Sequence, residues 1–146
     1  DNGAKLAGRP PDTYKSVPTM TAVAVLCRIF CGQNRKHPKI QQGVKILMEN
    51  LPDYNKPKHD KVNFYYWYYG TQVMHHAGGR EWREWNRAMR DTLVALQHKD
   101  GHQAGSWDPR GGHAHSGGRI YVTALALCCL EVYYRHLPIF RQIDLQ

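Results

Sequence analysis

A chain of 146 residues with 42% hydrophobic residues and a formal net charge of +8 fits a single domain that buries roughly 70% of the surface its unfolded form exposes. No run of apolar residues is long enough to cross a membrane, and no signal-peptide pattern opens the chain. The positive charge favours acidic partners in general, but the basic residues are spread along the sequence and no helix is expected to carry a basic stripe, so nucleic acid is not an expected partner.

Asp1-Asn2-Gly3 reads as the middle of a loop, which gives the expectation of a piece of a longer parent chain and leaves the compartment open. Pro18-Thr19 then leads into an apolar run from Met20 to Cys31 that Gly32 closes. A short helix that is hydrophobic nearly all round is expected to be buried on several sides. From Pro38 to Leu51 the apolar positions Ile40, Val44, Leu47, Met48 and Leu51 follow the spacing of an amphipathic helix with one wet face. Pro52-Asp53 ends it, and a polar, basic loop runs to Asn63, including Lys56, Lys58 and Lys61.

The run from Phe64 to Met74 holds five consecutive aromatics and reads as a strand by propensity. The order of the preceding unit argues for a helix instead. Gly78-Gly79 plays the part of Gly32, and Glu81 to Gln97 is a second amphipathic helix with Trp82, Trp85, Met89, Leu93 and Leu96 on one face. A glycine- and histidine-rich loop covers His98 to Gly118, followed by an apolar helix from Arg119 to His136 that Leu137-Pro138 stops.

The segment Thr21-Ala22-Val23-Ala24-Val25-Leu26-Cys27 returns as Thr123-Ala124-Leu125-Ala126-Leu127-Cys128-Cys129. This echo marks a repeat with units near 1–51, 52–97 and 98–146. It predicts an all-α domain of about five main helices, inner and outer in alternation. It also makes Cys27 and Cys129 equivalent core positions, with all four cysteines as buried free thiols.

Leu93-Val94-Ala95-Leu96-Gln97-His98-Lys99-Asp100-Gly101, followed by Gly105-Ser106-Trp107, resembles the prenyltransferase/squalene oxidase repeat. In this pattern a helix ends in Leu-x-x-Gln, an Asp-Gly turn follows, and Gly-x-Trp precedes the next inner helix. Gln97 is expected to bond loop backbone, the glycines to permit the turn, and Trp107 to plug the gap between hairpins. The resemblance implies an α/α toroid, in which inner helices surround a cavity. This chain has two and a half hairpins, so it implies an arc of a ring, completed by the remainder of a parent chain or by a homo-oligomeric partner.

The family's chemistry is not carried over with the scaffold. The starts of inner helices read Val17-Pro18-Thr19-Met20 and Gly118-Arg119-Ile120-Tyr121, with no Asp-x-Asp-Asp acid of a terpenoid cyclase. No Asp-x-Cys follows Asp108, as the zinc set of a protein prenyltransferase requires, and Cys31-Gly32-Gln33-Asn34 lacks the glutamate and glutamine of a thioester motif. The expectation is therefore a non-catalytic binding or structural module with no cofactor. The alternative is part of a terpenoid-cyclase-like or prenyltransferase-like enzyme acting on an isoprenoid.

Two sets of residues are candidates for binding. His102, Trp107, Asp108, Arg110, His113, His115 and Arg119 form a rim set able to meet an anion or polar ligand. Within it His113, His115 and Asp108 are the weak metal candidates, although metal sites normally draw ligands from rigid elements. Tyr65, Tyr66, Trp67, Tyr69 and Tyr121 form an aromatic set suited to an apolar or polysaccharide ligand. Consecutive aromatics must point around a helix in every direction, so most of them are expected to pack. His75 and His76 are read as capping or solvated at a helix C-terminus, where cationic groups are favourable.

Overall fold

The computed structural model describes residues 17–53, 62–111 and 114–135. It is all-α, as expected, with six helices and no strand among the described residues: α1 Pro18–Phe30, α2 Pro38–Met48, α3 Phe64–Ala77, α4 Gly79–Leu96, α5 Ala114–Leu130 and α6 Val132–Arg135. The expected stops at Leu137-Pro138 and the loop lysines Lys56, Lys58 and Lys61 lie outside the described residues.

Local signals set the helix starts. Pro18 and Pro38 each occupy the first turn of their helices, where a missing N–H costs nothing and the fixed φ suits the helix. At α2 the His37 Nδ1 accepts from the Lys39 N–H at 3.2 Å. The aromatic run becomes helix because Asn63 caps it, its side-chain oxygen accepting from the Tyr66 N–H at 2.9 Å. Gly78, at φ 70°, is the single residue between α3 and α4. That left-handed conformation lets one residue reverse the chain without a clash.

α3 lies at the centre of one layer, packed against α1 on one side and α5 on the other, while α2 and α4 cover the opposite face of that layer. The core between the layers holds Ala22, Val25 and Leu26 from α1, Ile40, Val44 and Leu47 from α2, and Trp67, Val73 and Met74 from α3. Trp85, Met89 and Leu93 from α4 and Val122, Ala126 and Cys129 from α5 complete it. Gly70 admits a close approach of α4: a Cβ there would stand 2.6 Å from the Trp85 ring. The Trp85 indole meanwhile donates to Thr71 Oγ1 at 3.0 Å, which satisfies both buried polar groups.

The burial pattern shows a repeat that differs from the one the letters suggest. Ala22, Val25 and Leu26 in α1 are buried as Trp67, Gly70 and Thr71 are in α3, 45 positions later. The outer helices keep the same interval, with Ile40, Val44 and Leu47 answered by Trp85, Met89 and Thr92. From α3 to α5 the interval is 55, Trp67, Thr71 and Met74 corresponding to Val122, Ala126 and Cys129.

α1 and α5 are therefore related by 100 positions, whereas the Thr-Ala echo is spaced by 102. Two residues turn a helix by about 200°, so the echoed letters fall on nearly opposite faces. Ala22 is buried and Ala124 exposed; Cys129 is buried and Cys27 exposed. The expected equivalence of Cys27 and Cys129 does not hold, and Cys31 is exposed as well.

Charge also separates by layer. α3 carries no Asp, Glu, Lys or Arg, while α1 contributes only Arg28 and α5 only Arg119. α4 has four exposed arginines, Arg80, Arg83, Arg87 and Arg90, at spacings that place them on one side. The sequence reading expected no such stripe. Acids interrupt it, Arg80 pairing with Glu84 at 2.7 Å and Arg90 with Asp91 at 2.9 Å.

Candidate functional site

Two places gather the residues singled out by the sequence: the connection between α4 and α5, and the open face of the α1–α3–α5 layer.

The connection is tied down along its length. Gln97 Nε2 donates to the Gly105 carbonyl at 3.1 Å, the His98 N–H to the Ser106 carbonyl at 2.9 Å, and the Gly105 N–H to the His98 carbonyl at 2.8 Å. Gly101 and Gly105 take φ values of 70° and 81°, where side chains other than hydrogen are strained. Trp107 is fully buried and its Nε1 donates to the Leu93 carbonyl at 2.8 Å. It plugs the space between α4 and α5, as expected, and so is a packing residue with no access to a ligand at the rim.

Asp108 is the centre of the exposed part. His98 Nε2 and Arg119 Nη2 lie 2.8 and 2.7 Å from its Oδ1, and Arg110 Nη2 donates to Oδ2 at 3.0 Å. Arg119 also donates through Nη1 to Ser106 Oγ at 3.1 Å. The hydrogen bonds from His98 and then Arg119, with Arg110 adding to them, hold the Asp108 carboxyl well below the usual carboxylate range. Two donors engage Oδ1 and a third engages Oδ2, two of the three being permanently cationic arginines, so a metal ion would have to compete with charges that already hold this carboxylate. Among the described residues no group of three His, Cys, Asp or Glu side chains is arranged to hold a metal ion. His102, in a short 3-10 turn, and His115, at the start of α5, are exposed and stand apart from this cluster's bonds. His113 lies outside the described residues. The sequence missed His98 and Ser106, which only the folded turn brings beside Asp108.

The open face is built by α3 as floor and by α1 and α5 as walls. Tyr65, Tyr68 and Tyr69 are half-buried, with ring centroids 4.8 Å apart for Tyr65–Tyr69 and 5.0 Å for Tyr68–Tyr69. The hydrogen bond with Tyr65, then burial, then the neighbouring phenols of Tyr65, Tyr68 and Tyr121 push the Tyr69 hydroxyl up to about 12. Burial and then Tyr65 raise that of Tyr121. Arg135 from α6 lies over the Tyr68 ring, 5.6 Å from its centroid. The walls rise above the floor: Met20 is 62% exposed on α1, and Ile120 is 86% and Leu127 42% exposed on α5. These three were not foreseen, although their spacing relative to the core positions would have identified them.

Two members of the aromatic set face the other way. Tyr66 and Trp67 are buried between the layers, where the Tyr66 hydroxyl donates to the Asn50 carbonyl at 3.0 Å and its ring meets Trp85 edge-on. Burial raises the Tyr66 hydroxyl far above its ordinary value. A helix turns about 100° per residue, so Tyr65 and Tyr69 share a side that Tyr66 and Trp67 cannot. His75 is also packed: with Trp82 and Tyr133 it forms an edge-to-face triangle, with centroid distances of 5.1, 5.4 and 6.1 Å. His76 meets Phe30 of α1 at 5.9 Å. The solvated reading of this pair gives way to a cluster that joins the C-terminal ends of the inner helices.

Comparison with known proteins returns no matching family model, no matching curated relative and no matching solved structure. No helix of the described residues is long and apolar enough to cross a membrane.

Proposed function

We propose that this chain is a non-catalytic binding module, an arc of antiparallel helical hairpins of the prenyltransferase/squalene oxidase repeat kind, whose inner face takes an apolar ligand. The observation that carries this reading is the tyrosine floor, half-buried on a helix with no Asp, Glu, Lys or Arg of its own, flanked by the apolar side chains Met20, Ile120 and Leu127 and met by one cation, Arg135, over Tyr68. Binding pockets of small ligands are mostly apolar and aromatic with few polar groups, and here the phenol hydroxyls supply the polar groups. Asp108 spends its own charge on three neighbouring donors, which supports a structural role for it at the rim.

Calorimetric titration with farnesol, run beside a soluble oligosaccharide, tests the proposal. Farnesol is expected to bind, and Tyr69→Ala to weaken it about tenfold, or ~1.4 kcal/mol, with the helical circular dichroism unchanged. Binding of the oligosaccharide alone would replace the apolar ligand with a carbohydrate. Heat from neither, or equal affinity for wild type and Tyr69→Ala, would sink the reading.

A further inference from the structure

Among the described residues nothing covers the inner face on one side, and its exposure is graded. The tyrosines of α3 are recessed, whereas Met20 of α1 and Ile120 of α5 protrude at 62% and 86% exposure. A water-filled trough with apolar lips keeps its most hydrophobic atoms in solvent, at about 25 cal/mol for each Å² left uncovered. A flat or convex lid resting on the lips would leave the floor as an enclosed chamber.

We infer that the lid is a second copy of this chain, the two troughs meeting lip to lip and enclosing a tyrosine-lined chamber that neither copy forms alone. The area is adequate. α3 has 14 residues, a length of ~21 Å at 1.5 Å per residue, and three helices spaced 8–10 Å apart span roughly 28 Å. The product is a face of roughly 600 Å² per copy in plan, which side-chain relief raises toward the ~800 Å² per partner of a standard stable interface.

The charge distribution favours like pairing. Two chains of +8 repel one another through most surfaces, but among the described residues Lys39, Lys45, Arg80, Arg83, Arg87 and Arg90, with the acids Glu81, Glu84 and Asp91 among them, belong to the outer layer, whereas α3 carries no charged residue and Arg135 stands over Tyr68 as a cation of the inner face. Pairing through the inner faces puts those charges as far apart as two copies allow, beyond the screening length of about 8 Å at physiological salt. An acidic partner would be drawn to the outer layer, not to this face. A two-fold axis running along α3 also sets α1 of each copy over α5 of the other, so that Cys27, a small residue, stands opposite the larger Leu127 at the matching register.

The pairing rests on the binding-module reading only for what the chamber holds, and the test separates the two. The mass of the full chain is measured by light scattering across a concentration series, with Ile120→Glu and Met20→Glu as variants. Both sites are highly exposed in the single chain, so neither variant is expected to change the helical circular dichroism, and each loses only the concentration-dependent part of the thermal midpoint that self-association adds. Wild type is expected at twice the 16.8 kDa chain mass, and each variant at least ~100-fold weaker in self-association, since either puts a carboxylate where lips must meet.

A wild-type monomer at hundreds of micromolar overturns the pairing, as does a dimer that both variants leave intact. Monomeric wild type that also fails to light a hydrophobic dye would assign the cover to the chain itself. A dimer that takes up no farnesol keeps the pairing and removes the ligand reading. Monomeric Ile120→Glu that binds farnesol as tightly as wild type keeps the ligand and removes the shared chamber.

Discussion

The indole Nε1 of Trp107 and the backbone N–H of Gln97 both donate to one oxygen, the Leu93 carbonyl, at 2.8 and 3.0 Å. The last turn of α4 therefore closes on a residue fourteen positions downstream of Leu93 as well as on its own helix. A carbonyl oxygen has two lone pairs, and here the Gln97 N–H takes one and a buried aromatic takes the other.

Replacing that donor separates packing from hydrogen bonding. Trp107→Phe retains most of the volume and leaves the Leu93 carbonyl its bond from Gln97, so a loss of about 1 kcal/mol is expected. Trp107→Ala also empties a fully buried site and is expected to cost roughly 3–5 kcal/mol. Urea unfolding of the three proteins measures both values, and equal losses would show that the plug works through something other than its volume.

Asp108 governs acid sensitivity. Its folded carboxyl titrates well below the ordinary value because His98, Arg119 and Arg110 favour the charged form. The resulting stabilisation is fully present above the unfolded value of about 3.9 and is lost as pH falls through the lower folded value. Asp108→Asn is expected to remove this part of the acid-induced loss below pH ~4 and to lower stability at neutral pH by about 1 kcal/mol, the scale of a partly exposed ion pair. Thermal midpoints measured from neutral pH into that window decide it: parallel curves for the two proteins would contradict the assignment.

The four thiols are expected to react at different rates. Burial pushes the Cys129 thiol up to about 12, so at pH 8 it lacks both access and thiolate. Cys27 and Cys31 are exposed, with Cys128 between these extremes. In monomeric Ile120→Glu, an aromatic disulfide reagent should label Cys27 and Cys31 first and Cys129 only on unfolding. In wild type at high concentration the labelling of Cys27 should slow, because its face is then covered. Mass spectrometry of timed samples reads both effects, and a Cys129 modified as fast as Cys27 would contradict the burial.

The helices were legible in the sequence because periodicity, prolines and glycines act locally: Pro18, Pro38 and Gly78 stand where the reading needed them. Even the aromatic run was read correctly, since unit order outweighed strand propensity. What misled was letter identity. The echo that joined Cys27 to Cys129 ignored which face each letter takes, and a shift of two residues moves a side chain across the helix. The Asp108 cluster was legible as a set of types but not as a set of bonds, because His98 and Ser106 reach it only through the turn built on Gly101 and Gly105. The protruding Met20, Ile120 and Leu127 could not be told from core residues by hydrophobicity, as each has buried apolar neighbours in its own helix.

The inner helices keep register at an interval of 45 and then of 55, so a ten-residue difference is absorbed at one joint, the α4–α5 connection, without moving a core position. That joint is where this architecture tolerates editing. A shorter link there that kept Trp107 in its buried place would delete the Asp108 network and leave the neighbouring hairpins in phase, whereas the same deletion inside any helix would rotate its whole downstream face out of the core.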